Sequence, residues 1–192
     1  MNKPGSTLVL ASASPRRREL LAVLVADFEV RPADIDESLR DGESPEAYVR
    51  RMAVEKAGAV VRTKPGCWVI GSDTAVVGDG ACLGKPVDET RACTMLRSLS
   101  GRTHRVLSSV ALMGPGPVTT TAFNVSRVSF EVLPEYWIRR YAASGEPLDK
   151  AGAYAIQGGA AAWISNLNGS YSGVVGLPLF ETADLLRDAG LL

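Results

Sequence analysis

TLVLASASPRRRELL, residues 7–21, is the stretch on which the fold class turns. A short apolar run, Leu8-Val9-Leu10, is followed by Ser14-Pro15, and Leu20, Leu21 and Leu24 then recur at helical spacing. The pattern predicts a buried strand over residues 7–11 that feeds directly into a helix. Ser14 is its cap, and Pro15 takes the first helical position, where a missing N–H costs nothing. A strand running straight into a helix is the opening move of an α/β domain.

The same punctuation recurs along the chain. Ser44-Pro45 opens a helix to about Val61. Residues 67–71 form an apolar strand that Val76-Val77 continues beyond Asp73, before Gly78-Asp79-Gly80 turns the chain. Asp88 caps a helix to about Leu99, stopped by Gly101. Two long strands follow, residues 105–113 and 119–132, joined by Gly114-Pro115-Gly116-Pro117. In the second, the apolar positions switch parity between Val125 and Val128, which predicts a bulge near Ser126 and Arg127. Residues 134–143 read as a helix ended by Gly145, and the Gly- and Ala-rich residues 149–162 show no readable period. Residues 163–167 and 171–175, on either side of Asn168-Gly169, predict a β-hairpin. Pro178 starts a last helix through Leu186. Strands and helices are mixed throughout, so the expectation is an α/β domain with a mixed sheet.

A chain of 192 residues suits one domain with a real core and is compatible with two compact lobes. Lys+Arg and Asp+Glu both number 21, and the resulting net charge of zero opposes a non-specific nucleic-acid binder. The three cysteines form no C-x-x-C, which favours neither a disulfide framework nor a zinc site and fits reduced thiols in a cytoplasm. Ala11-Ser12-Ala13 imitates a signal-peptidase site, but the apolar run ahead of it falls short of the roughly 7–15 residues such a signal needs. With no stretch of about 18 apolar residues either, the reading is a cytoplasmic protein without a membrane segment. The sequons at Asn124 and Asn168 are read as chance.

Three arginines, Arg16 to Arg18, crowd the first turn of the first helix. A helix N-terminus favours anions, so each cation there costs a few tenths to about 1 kcal/mol. At about 100° per residue, Arg17 lies near the centre of the leucine stripe and Arg16 about 80° from it, while Arg18 points away. A phosphate chain would satisfy both the free amides and the guanidinium groups; a solvated basic turn is the other reading. Lys56 sits at the centre of the stripe made by Tyr48, Val49, Met52, Ala59 and Val60, where it either snorkels or faces an enclosed anion. Asp73 follows a buried strand, a position suited to metal binding or general base work or simply to a turn. Asp34, Asp36 and Glu37 form either a polar loop or part of a cation site. Gly84-Lys85-Pro86 fails as a P-loop, because Asp79 and Pro86 stand where glycine and serine or threonine are required. His104, the only histidine, reads as structural. A catalyst here therefore uses carboxylates, lysine, a metal or the backbone.

Several segments, in this order, resemble the Maf family of nucleoside triphosphate pyrophosphatases: SASPRRRELL (12–21), DIDE (34–37), EKA (55–57), GSDT (71–74), LGKP (83–86), LSGRTH (99–104), SGEPLDKAGAYAIQG (144–158) and GSYSGVVGLPL (169–179). The resemblance implies a fold similar to inosine triphosphatases: an elongated, mixed, twisted β-sheet flanked by helices, with two lobes and a cleft. It implies hydrolysis of the α–β phosphoanhydride of a nucleoside triphosphate, with Mg²⁺ or, alternatively, Mn²⁺. By the same resemblance Ser12, Arg16 and Arg17 hold the triphosphate, and Lys56 and Lys85 add positive charge. Asp73 is the general base, Glu37 and Asp73 are the metal-binding carboxylates, and Arg16, Thr74 and Gln157 contact the base. The ending at residues 169–179 resembles the branch acting on dTTP and UTP rather than the branch preferring 7-methyl-GTP. The small residues 158–162 depart from the expected pocket wall and bear on the substrate range. A homodimer is what the family suggests. The competing expectations are a nucleotide-binding regulator of cell division or septum formation, and an RNA-associated module, which zero net charge opposes.

Overall fold

The computed structural model describes residues 7–192. The elements run β1 (Leu8–Leu10), α1 (Pro15–Leu24), β2 (Glu29–Val30), α2 (Pro45–Thr63), β3 (Trp68–Gly78), β4 (Ala81–Leu83), α3 (Glu89–Leu99), β5 (Thr103–Met113), β6 (Thr119–Phe130), α4 (Glu135–Ala143), β7 (Ile164–Asn168), α5 (Tyr171–Val175) and α6 (Leu179–Asp188). Among the described residues they form a mixed α/β fold around a seven-stranded sheet of order β2-β1-β3-β5-β6-β7, with β4 paired to β3. β1 is parallel to β2 and to β3, whereas β3–β4 and β6–β7 are antiparallel. Among the described residues no helix is long and apolar enough to cross a membrane.

The start signals act where the sequence puts them. Ser14 Oγ accepts from Arg17 N, Ser44 Oγ from Ala47 N and Asp88 Oδ1 from Arg91 N, each satisfying an amide that the first turn leaves without a partner.

Two compact units are distinguishable along the chain. The first takes the described chain up to Asp73, with Ser108–Asn124 and Gly176–Leu192. Its strands bury both faces in strict alternation. Leu8, Leu10, Ile70, Val110 and Leu112 meet Leu21, Val25, Leu177 and Leu186, while Val9, Ala11, Val69 and Ala111 meet Ala53, Ala57 and Val60 of α2. The second unit is Thr74–Leu107 with Val125–Val175. Its single core packs Val76, Val106, Val128 and Phe130 against Leu96 and Leu99 of α3 and Ile138 and Tyr141 of α4. His104 lies in this core, its Nε2 2.8 Å from Tyr154 Oη and its ring stacked on Phe130. Burial pushes its pKa down to about 4.

Three expectations are corrected. The proposed hairpin over 163–175 is not formed: β7 pairs with β6, and the second half is the short helix α5. Asn168-Gly169 is overruled by its neighbours, since Ser170 N donates to Ser126 Oγ at 2.9 Å and Ser170 Oγ accepts from Gly173 N at 3.0 Å, making Ser170 the start of a helical turn. A Cβ at Gly169, whose φ is 135°, would lie 2.5 Å from Ser126 Oγ. The bulge near Ser126 and Arg127 is likewise absent as a parity switch. Ser126 is buried on the same parity as Val128 and Phe130 and Val125 is exposed, so a polar residue fills an inward position; the register shift of β6 against β7 lies between Ser129 and Phe130. Finally, β3 is one uninterrupted strand from Trp68 to Gly78, so Asp73 lies within it rather than directly after it. Residues 149–162, unreadable in sequence, hold parts of three 3₁₀ turns, Glu146–Asp149, Ala151–Ala153 and Gly159–Trp163.

Candidate active site

The candidate site assembles within the first unit from the N-terminus of α1, the middle of α2 and β3. Alternation along β3 puts Val69, Gly71 and Asp73 on the face that meets α2. Gly71 makes this approach feasible: a Cβ there would lie 2.2 Å from the carbonyl oxygen of Ala53 and 2.6 Å from the amide nitrogen of Ala57. With helix backbone this close to strand backbone, Lys56 reaches Asp73, and its Nζ donates to Asp73 Oδ1 at 2.7 Å. The same Nζ is 3.0 Å from Glu37 Oε1, so one ammonium is bracketed by two carboxylates. Lys56 and Asp73 are buried, whereas the Glu37 side chain is half exposed. Lys56 thus faces an enclosed anion and does not snorkel.

Arg17 closes the cluster from α1. Its Nε donates to the carbonyl of Gly176 at 2.8 Å, its Nη1 to Ser12 Oγ at 3.5 Å, and its Nη2 lies 3.9 Å from Asp73 Oδ1. Burial pulls the guanidinium pKa below its ordinary value, and the carboxylates of Asp73 and Glu37 oppose that while Arg16 adds to it. The first turn of α1 contains no acidic residue, so Asp73 and the Gly176 carbonyl supply the negative charge that offsets a cation at the positive end of a helix. Ser12 is buried and accepts from Ser14 N at 3.1 Å. Arg16 is half-buried on the same turn, and Arg18 is exposed.

The remaining expected residues belong to the second unit. Thr74 is half-buried on β3, one step beyond Asp73 and on the opposite face of the strand. Lys85 is exposed between β4 and α3, on a loop tied down by Gly152 N donating to Gly84 O at 3.1 Å. Gln157 is exposed on a segment held on both sides: Ala155 N donates to Tyr141 Oη at 3.2 Å, and Gly159 N to the Glu146 carboxylate. Burial, reinforced by the hydrogen bond to Glu146, pushes the Tyr141 hydroxyl pKa up.

Two site residues escape sequence reasoning. Gly176, at φ 147°, presents the carbonyl that orients Arg17, and Ser72 donates to that same carbonyl at 3.2 Å and to Ser109 O at 2.9 Å. Neither has a local signal. Gly71 does have one, because a glycine inside an apolar strand marks close approach of another backbone.

Among the described residues no group of three or more His, Cys, Asp or Glu is placed to hold a metal ion. Glu37 and Asp73 offer two hard oxygen donors around one ammonium. That set is compatible with a cation that keeps several waters and takes only one or two carboxylates besides phosphate oxygens, as Mg²⁺ does.

A family model described as Maf-like protein matches residues 7–189. A dTTP/UTP pyrophosphatase of Myxococcus xanthus (strain DK1622) is 53% identical over 191 residues, covering 100% of this chain and 96% of that protein. A dTTP/UTP pyrophosphatase of Hahella chejuensis (strain KCTC 2396) is 52% identical over 189 residues, covering 96% and 92%. Among solved structures, the Staphylococcus aureus Ham1 protein overlaps with a TM-score of 0.49 at 17% identity, over 65% of this chain and 72% of that one. With its cluster of paired charges at the capped helix, and with more than half its residues shared with these relatives along essentially its whole length, the chain belongs to the Maf-like protein family.

Proposed function

We propose that this chain is a nucleoside triphosphate pyrophosphatase acting on dTTP and UTP, the activity named for its relatives. The observation that carries the reading is Lys56 Nζ held between Asp73 and Glu37, with the Arg17 guanidinium and the α1 N-terminus beside them. This is an anion site and a basic carboxylate in one place. A polyphosphate takes the α1 amides and the Arg16 and Arg17 guanidinium groups. Asp73 accepts a proton from the attacking water as its oxygen bonds to the α-phosphorus, and the bond from that phosphorus to the bridging oxygen breaks. Water and triphosphate thus become nucleoside monophosphate and pyrophosphate. Lys56 stabilises the negative charge that develops on the phosphoryl oxygens, a part the family resemblance assigns to Lys85 as well. For the base, the family resemblance assigns Thr74 and Gln157, the Gln157 amide being able to donate and accept at once as a uracil or thymine edge requires. Glu37 and Asp73 are the residues that would hold Mg²⁺, which when bound neutralises phosphate charge and orients the reacting groups.

The test is a panel of standard and modified nucleoside triphosphates with Mg²⁺, scoring pyrophosphate against orthophosphate. Pyrophosphate is expected first, fastest from dTTP and UTP. Orthophosphate as the first product would overturn the bond assignment, and faster turnover of 7-methyl-GTP would overturn the substrate assignment.

A further inference from the structure

Residues 31–44, which carry Glu37, contain neither helix nor strand. Glu37 nonetheless reaches Lys56 Nζ at 3.0 Å, so something must fix this loop. The fixing groups stand on α2. Tyr48 Oη donates to the carbonyl oxygen of Glu37 itself at 3.0 Å, and Arg51 Nη2 to the carbonyl oxygen of Ser38 at 3.0 Å. Arg51 is in turn locked by the Glu43 carboxylate, with Nε at 2.6 Å from one oxygen and Nη2 at 2.7 Å from the other, and by Glu55 at 3.2 Å. Glu43 also accepts from Arg40 N at 3.1 Å, and Arg40 donates to Glu55 at 2.9 Å. The guanidinium lies over the Tyr48 ring, 5.6 Å from its centroid. Only 12% of the Arg51 side chain and 9% of that of Glu43 are exposed. Two parallel charge-assisted bonds in such a place have directional as well as electrostatic strength.

The geometry of α2 makes this a jig. Tyr48, Arg51 and Glu55 follow at spacings of three and four and share one stripe, while Lys56 is turned roughly 100° from Glu55. One face of the helix therefore holds the backbone of the loop, and the adjoining face presents the ammonium to which the loop's carboxylate is delivered.

We propose that Arg51, together with Tyr48, is a positioning residue for the Glu37 carboxylate, setting the Glu37 to Lys56 geometry and through it the rate of turnover rather than nucleotide affinity. The kinetic half of this rests on the pyrophosphatase reading above. Arg51→Lys keeps the charge and loses the fork; it lowers kcat on the order of 10- to 100-fold, with KM for dTTP unchanged within about twofold. Tyr48→Phe, which removes one oxygen and leaves the fold intact, lowers kcat by a few-fold. In a Glu37→Gln background Arg51→Lys has no further effect, because there is no longer a carboxylate to place. An equal loss from Arg51→Lys in both backgrounds, or a rise in KM at constant kcat, overturns the proposal. Amide hydrogen exchange in the same variants gives a readout that needs no turnover. Faster exchange confined to residues 36–43, with α2 unchanged, supports the clamp, and unchanged exchange there overturns it. If the wild-type chain releases no pyrophosphate, it is the activity that falls, and the exchange data alone decide the clamp.

Discussion

The two units handle buried polar chemistry in opposite ways. The first buries charge: Lys56, Asp73 and most of Arg17 are withdrawn from water and answer one another at 2.7 to 3.9 Å. The second buries neutral groups. His104 and Tyr154 pair at 2.8 Å inside an aromatic cluster with Phe130, and burial drives the histidine pKa down and the tyrosine pKa up, both toward the uncharged form. A low-dielectric interior tolerates either solution, but only the first leaves charges able to act on a ligand. The candidate cluster of Arg17, Lys56 and Asp73 lies where charge was kept, and the neutral cluster is part of the core.

The comparison is broken most completely by Asp73→Asn. This change keeps the volume and one acceptor while removing the proposed base, and pyrophosphate release is expected to fall on the order of 10²–10⁴-fold. Nucleotide binding by calorimetry should remain measurable. Gly71→Ala comes next. Its Cβ would collide with α2 backbone, which cannot yield like a side chain, so a loss of about 3 kcal/mol and a fall in Tm of roughly 6–12 °C are expected by calorimetric scanning. Gly84→Ala is the control, because nothing lies within 4 Å of a Cβ there.

The second unit is tested by acid. His104 has a folded pKa of about 4 against 6.5 unfolded, so between those values the unfolded chain binds the extra proton. The contribution of neutral His104 is present in full above pH 6.5 and fades as pH falls toward 4, a loss of about 3 kcal/mol. Urea titrations across this window should show that slope, and His104→Gln should flatten it. The smallest effect is Ser14→Ala, about 1 kcal/mol for a lost cap, read from the urea midpoint.

What was legible from sequence follows the same division between near and far. Ser14, Ser44 and Asp88 each bond an amide three positions away, so the helices they start are written in adjacent letters. Lys56 at the centre of an apolar stripe, and Arg17 facing the leucines, were also legible, because helical phase is a local property. The hairpin over 163–175 failed because Ser126, 44 positions from Ser170, decides that corner. The residues alone leave Glu37 between a polar loop and a cation site, and its contact with Lys56 and the bonds of Arg51 to its loop have no local signal, since a charged residue on a helix face usually means solvent. Asp73 lies inside β3 rather than just past a strand end, because period-2 reasoning does not say how far a strand buried on both faces continues.

The carbonyl of Gly176 that fastens Arg17 lies 159 positions downstream of it. On a ribosome adding about 5–20 residues per second, roughly 8–30 s pass between making the arginine and making its anchor. Through that interval the guanidinium lacks its shortest bond, so a nascent chain or a fragment ending before Gly176 carries every charged residue of the cluster but only the longer contacts of Arg17 with Ser12 and Asp73 to aim it.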